Sequence, residues 1–162
     1  VIHNDANDYN LLVDGNLTIN GLIDFGDFIE THRICNLAVA LAYAMMDQPD
    51  PLACAVDIIT AYHRVNPLGE DEVAILYDLI ACRLAQSACM AAQQYAKEPD
   101  NDYLLISQAG VNDLLARMAK LNPAIAHYRF RDACGWEPCP GSRKVVNWLT
   151  VNADQILSLI HI

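Results

Sequence analysis

From Ile34 onward this sequence reads as one helix after another, whereas residues 1–30 do not read as helix at all. That segregation limits the fold more than any other feature. LLVDGNLTINGLID, residues 11–24, reads as two short strands turning at Asp14-Gly15, a strong hairpin signal, with further breaks at Gly21 and Gly26. CNLAVALAYAMM, from Cys35, is apolar nearly all round, so its helix belongs inside, and Asp47 to Pro51 ends it. PLACAVDIITAYHRV is a second helix, stopped by Asn66-Pro67-Leu68-Gly69. A third runs from Glu70 to about Ala96, and a fourth, capped by Asn101 or Asp102, runs to about Lys120. Pro123 opens a shorter helical piece. Cys134 to Ser142, with two Pro and two Gly, is expected as a loop, and Lys144 to Trp148 as a last turn. A small β region followed by a helical bundle is an α+β, mainly helical fold.

The 162 residues suit one domain whose core needs no disulfide staples. Hydrophobic content of 54% and a mean hydropathy of +0.15 exclude a disordered chain. Acids, Gln or Pro interrupt the apolar runs, which makes them read as too short for a membrane span. A net charge of −10 and a pI near 4.6 argue against a nucleic-acid partner, which would need a basic face. The six cysteines, at 35, 54, 82, 89, 134 and 139, contain no CxxC pair and read as reduced, mostly buried residues of a cytoplasmic protein, with no zinc site. Trp136 and Trp148 are expected to pin the C-terminal segment onto the helices, and the four methionines to fill the core.

Neither an initiating Met nor a signal peptide is recognisable, so the chain is expected to begin within a longer one. The end, LSLIHI, residues 157–162, reads as the in-frame translation of a transposase end sequence used in short-read libraries. It is set aside, with His161, from any functional reading.

Chemistry concentrates in the opening octet HNDANDYN. His3, Asp5 and Asn10 form H-x-D-x-x-x-x-N, and Ile23-Asp24-Phe25-Gly26-Asp27 follows. This pattern suits phosphoryl transfer. Such a reaction needs a carboxylate to accept or orient the attacking hydroxyl, and oxygen ligands for the Mg²⁺ that bridges the phosphates. Asp5 fits the base; Asn10 and Asp24 fit the ligands. The hairpin between them returns the chain so that both can face one cavity. The HxD tripeptide alone is weak, but its combination with IDFG across a hairpin is specific.

These residues resemble the catalytic segment of the aminoglycoside phosphotransferase and choline kinase family, small-molecule relatives of protein kinases. The resemblance implies the C-terminal lobe of a protein-kinase-like fold over residues 1–149, a linker starting at 150–156, and a missing N-terminal lobe. It implies Asp5 as catalytic base, Asn10 and Asp24 as Mg²⁺ ligands, His3 as the residue that holds the loop, and Asp27 as an auxiliary to metal or loop. ATP and Mg²⁺ are the implied cofactors. LAVALAYAMM, ACRLAQSACMAAQQYA and FRDACGWEPCPGSRKVVNWL look most like the hydroxylysine-kinase-type branch, including forms fused to a downstream class III aminotransferase domain. The implied substrate is a small amino alcohol or hydroxylated amino acid. The alternatives are an aminoglycoside, choline or homoserine kinase, or a kinase-like pseudoenzyme that only binds.

Two departures stand out. Asn36 occupies the place of the Asp with which the family ties down the loop; an amide can hydrogen-bond there but cannot pair with charge. The Gly-rich loop and phosphate-binding Lys belong to the N-terminal lobe, so this stretch alone is expected to be inactive. Arg83, in an otherwise apolar helical stretch, reads as a snorkelling or structural residue, with a substrate carboxylate as its functional alternative. Glu30 to Arg33 read as a charged loop.

Overall fold

A computed structural model describes residues 1–99, 101 and 108–153. Two antiparallel strands, β1 (Leu11–Val13) and β2 (Ile19–Leu22), precede six helices: α1 (Arg33–Ala44), α2 (Pro51–Val65), α3 (Glu70–Tyr95), α4 (Gln108–Lys120), α5 (Pro123–Ala133) and α6 (Ser142–Val151). The fold is therefore mainly helical, with one small hairpin at its N-terminal end. The expected cap of α4 at Asp102 and the segment 157–162 lie outside the described residues.

The hairpin forms where expected, but its turn is longer than the Asp14-Gly15 pair. Leu11 pairs with Leu22 and Val13 with Ile19, with a register shift between Leu12 and Val13. Asp14 Oδ1 accepts the backbone N–H groups of Asn16 and Thr18, both at 2.9 Å, and Leu17 takes a positive φ of 60°. The Asp14 side chain thus organises a wider loop in place of a tight two-residue turn. These hydrogen bonds, with the Thr18 N–H first, hold its carboxyl below the ordinary range.

Local sequence sets the helix ends. Asp50 caps α2 by accepting the Ala53 N–H at 3.0 Å, with Pro51 in the first turn. Asn122-Pro123 repeats the device at α5, with Asn122 Oδ1 accepting from Ala124. Glu70, Asp71 and Glu72 open α3, where carboxylates favour the positive end of the helix dipole.

The core forms where α3 packs against α1, α4 and α5, while α2 covers α5. Leu41, Ile59, Leu76, Ile80, Leu114 and Phe130 are fully buried there. By length and composition α3 is long and apolar enough to cross a membrane, contrary to the reading of the apolar runs as too short. Here its apolar stripe of Val73, Leu76, Tyr77, Ile80 and Leu84 is buried against its neighbours, as in the central helix of a bundle.

Several expectations about single residues are corrected. Among the cysteines only Cys134 is buried; Cys82 and Cys89 lie on the outward face of α3 and are exposed. All six are free thiols, and burial pushes the Cys134 thiol up to about 11. Trp136 does pack against the core, edge-on to His63 at 5.4 Å, with Arg131 over its ring. Trp148 does not: α6 extends to Val151 as a full helix with no buried residue, and Trp148 stays 59% exposed. Met45 and Met118 are core, whereas Met90 is exposed on α3.

Candidate active site

The segment from Ile2 to Ile29 is closed at its base by backbone pairing. Ile2 N–H donates to Ile29 O at 2.9 Å, and Ile29 N–H returns to Ile2 O at 3.3 Å. Within this closed loop the IDFGD segment lies beside the opening octet. His3 joins the two. It is buried, its Nε2 donates to Ile23 O at 2.9 Å, and its Nδ1 accepts the Asp5 N–H at 3.3 Å. Both bonds together require the tautomer with the proton on Nε2. Phe25 and Phe28 meet the imidazole edge-on at 5.6 and 5.2 Å. His3 is a brace for the loop and not a group presented to solvent.

Asp5 stands at the centre of a hydrogen-bond cluster. Its Oδ2 accepts from Asn7 Nδ2 at 3.1 Å and from Asn10 Nδ2 at 2.9 Å. Its Oδ1 accepts from Arg83 Nη2 at 2.8 Å, an ion pair whose two side chains are 18% and 17% exposed, so solvent screens it only in part. Arg83 Nη2 also donates to Tyr43 Oη at 3.1 Å, and its guanidinium lies 5.5 Å from the Tyr43 ring centre.

Asn7 shapes the short 3₁₀ turn Asp8–Asn10 by accepting the N–H groups of Tyr9 and Asn10, at 3.0 and 3.2 Å. That turn aims Asn10 inward, where its amide nitrogen binds both Asp5 O and Asp5 Oδ2. With both amide hydrogens committed, Asn10 Oδ1 is left as an acceptor with no partner among the described residues. Ile23 N–H donates to Asn10 O at 3.0 Å, so the hairpin ladder sets Asn10 beside the residue that precedes Asp24. Asp24 sits in the left-handed region (φ 64°, ψ 69°), which Asp tolerates better than most residues, and its carboxylate has no hydrogen bond among the described residues. Asn4, at φ 64°, is the second such residue in the site. Backbone strain of this kind persists only where surrounding contacts hold it. The contact that holds Asn4 is visible: Asn36 Oδ1, on α1, accepts its N–H at 3.0 Å. The amide at 36 does tie the loop to α1.

Asn10 Oδ1 and the Asp24 carboxylate are hard oxygen donors, brought to one end of the hairpin and uncommitted. Such a set fits Mg²⁺, which takes one or two protein oxygens and keeps water or phosphate in its remaining positions. Among the described residues no group of three or more His, Cys, Asp or Glu is placed to hold a metal ion. Asp27 lines the same cavity as Asp5, together with Tyr43, Arg83, Gln86 and Ser87.

Asn7 and Tyr43 carry no motif of their own. The spacing of Asn7 three residues before Asn10, in a segment of turn formers, is the local signal for its capping role. Arg83 stood out as a lone cation in an apolar helix; its partner turns out to be Asp5. Arg33, expected in a charged loop, instead opens α1 and binds Glu72, Asn66 and Pro67 O.

The loop thus braces the Asp5 carboxylate against Asn10, across a hairpin from the uncommitted carboxylate of Asp24. Residues 1–76 match the phosphotransferase enzyme family. Within it the likeness is to hydroxylysine kinases. The hydroxylysine kinase of Danio rerio is 37% identical over 118 residues, covering 69% of this chain and 33% of that protein. Those of Xenopus laevis and Mus musculus are each 32% identical, over 65% of this chain and 31% and 30% of theirs. The chain thus spans about a third of the length of the curated relatives it matches. No solved structure matches it.

Proposed function

We propose that this chain is the C-terminal lobe of an ATP-dependent small-molecule kinase that phosphorylates a hydroxyl of an amino alcohol or hydroxylated amino acid, hydroxylysine being the first candidate by similarity. The single observation that carries this reading is the shared hydrogen-bond network of Asp5, Asn7 and Asn10, set beside the uncommitted Asp24.

Asp5 is the catalytic base. Arg83 and the two amides fix its carboxylate and leave it on the cavity wall, where it accepts the proton of the attacking hydroxyl. Asn10 and Asp24 are the metal ligands; bound there, Mg²⁺ supplies charge neutralisation for the phosphates. His3 and Asn36 keep the loop in register with both. The Gly-rich loop and phosphate-binding Lys come from an upstream lobe, consistent with a match to only about a third of each relative. The exposed apolar side chains of the hairpin and its flank, Leu12, Val13, Ile19 and Phe25, are the surface on which that lobe docks. On this reading the stretch 1–153 alone does not turn over ATP.

The test is Asp24→Ala in the full-length protein, assayed with ATP and a panel of hydroxylated acceptors across a Mg²⁺ titration. The expected result is loss of Mg²⁺-dependent phosphorylation. Activity saturating at ordinary Mg²⁺ concentrations would remove Asp24 as a ligand. Nucleotide binding without turnover in the unmutated protein would instead favour a binding module.

A further inference from the structure

An ionised carboxylate offers about four lone-pair sites, two on each oxygen. On Asp5 three of them are filled: Oδ2 takes Asn7 Nδ2 and Asn10 Nδ2, and Oδ1 takes Arg83 Nη2. Among the described residues only Oδ1 keeps a site free, and Asp5 lines a cavity of about 560 Å³. The oxygen open to an incoming hydroxyl is therefore the one that Arg83 holds. Where its free lone pair points depends on what holds Arg83. Nη2 spends one hydrogen on Asp5 and the other on Tyr43 Oη, at 2.8 and 3.1 Å. Nε is buried without a partner, so no hydrogen bond fixes the guanidinium at its stem end. Tyr43, in the last turn of α1, meets it twice: through the hydroxyl, and through a ring whose centre lies 5.5 Å from the guanidinium carbon. Apart from Asp5 itself, Tyr43 is the one polar anchor of Arg83 among the described residues.

We propose that Tyr43 is a positioning residue for Asp5, acting through Arg83, and that Oδ1 is the atom of Asp5 that takes the acceptor's proton. As that proton passes to Oδ1, the hydroxyl oxygen bonds the γ-phosphorus of ATP, and ADP leaves with the electron pair of the broken P–O bond. Tyr43 touches neither reactant. It sets the plane of Arg83, and Arg83 aims the free lone pair of Oδ1, where an error of about 1 Å can cost on the order of a hundredfold in rate. This rests on the kinase reading above and adds a residue of α1 that no motif announces.

The experiment is a double-mutant cycle in the full-length protein with ATP, Mg²⁺ and 5-hydroxylysine: wild type, Tyr43→Phe, Asp5→Asn and the double variant. Tyr43→Phe keeps the ring beside Arg83 and removes only the hydroxyl. The expected result is a fall in kcat of about tenfold with the acceptor KM nearly unchanged. No further fall is expected when Tyr43→Phe is added to Asp5→Asn, which has lost the group that Tyr43 acts on. Equal falls on both backgrounds overturn the proposal, because Tyr43 then works independently of Asp5. So does a raised KM at unchanged kcat, which makes Tyr43 a contact of the acceptor, and so do unchanged kinetics in Tyr43→Phe. Should Tyr43→Phe not fold, Arg83→Lys, which keeps the charge and loses the fork, takes its place under the same expectations. Should Asp5→Asn have no measurable turnover, the split between kcat and KM decides. Each of these failures leaves the kinase reading standing; no transfer by the wild type to hydroxylysine or to any acceptor of the panel sinks both.

Discussion

Two side chains carry the loop of the candidate site between them. His3 uses both ring nitrogens, one on Ile23 O and one on the Asp5 N–H, so a single ring sets the spacing between the HxD and IDFG segments. Asn36 uses one oxygen to hold Asn4 in a left-handed conformation. Asn36→Ala leaves that N–H without its acceptor and should cost about 1–2 kcal/mol, read from denaturant unfolding of the full-length protein. A change within a few tenths of a kcal/mol would mean that water replaces the amide at no cost. Residues whose partners lie nearby in sequence were legible from the motif: His3, Asp5 and Asn10 fall within one octet, and Asp24 lies just across the hairpin. The Asp5–Arg83 pair was not, because 78 residues separate the partners and only the packing of α1 against α3 brings them together.

Among the elements, α2 and α5 follow their sequence signals closely because Asp50-Pro51 and Asn122-Pro123 cap them locally. The hairpin turn and α6 departed from their local signals. Asp14 takes two N–H groups and widens the turn, and the helix from Ser142 continues past Trp148 although none of its residues is buried. The junction between α1 and α3 depends on Glu72, which binds Arg33 at 2.7 Å and accepts the Gly69 N–H at 2.8 Å. Arg33 first, and the Gly69 N–H after it, hold the Glu72 carboxyl below its ordinary value of 4.5. A carboxyl lowered on folding stabilises the protein above its unfolded pKa, and this contribution is lost as pH falls through the folded value. Melting temperature should therefore drop on acidification below about pH 4.5, and Glu72→Gln should drop less steeply over that interval. The difference is small, up to about 1 kcal/mol, since Arg33 is largely solvated. Asp14 and Asp50, whose carboxyls are likewise lowered by backbone N–H groups, keep part of the acid limb in the variant. Identical acid limbs would show that the pair contributes nothing to stability.

For the whole molecule, the segregation of hairpin from helices is legible in the sequence, and so is the likeness to the phosphotransferase enzyme family, carried by a short polar motif at fixed spacing. The placement of α3 was harder to read: its composition suits a membrane as well as a core, and only its neighbours decide between them. What unites the scales is Asp5, held by the loop at the residue level, by α3 through Arg83, and by the fold as one wall of a cavity. The most direct test is therefore phosphoryl transfer from ATP to hydroxylysine by the full-length protein, wild type against Asp5→Asn. The expected result is Mg²⁺-dependent transfer in the wild type and a fall in kcat of at least about a hundredfold in the variant, the order of a lost general base. Near-normal turnover by Asp5→Asn would contradict it.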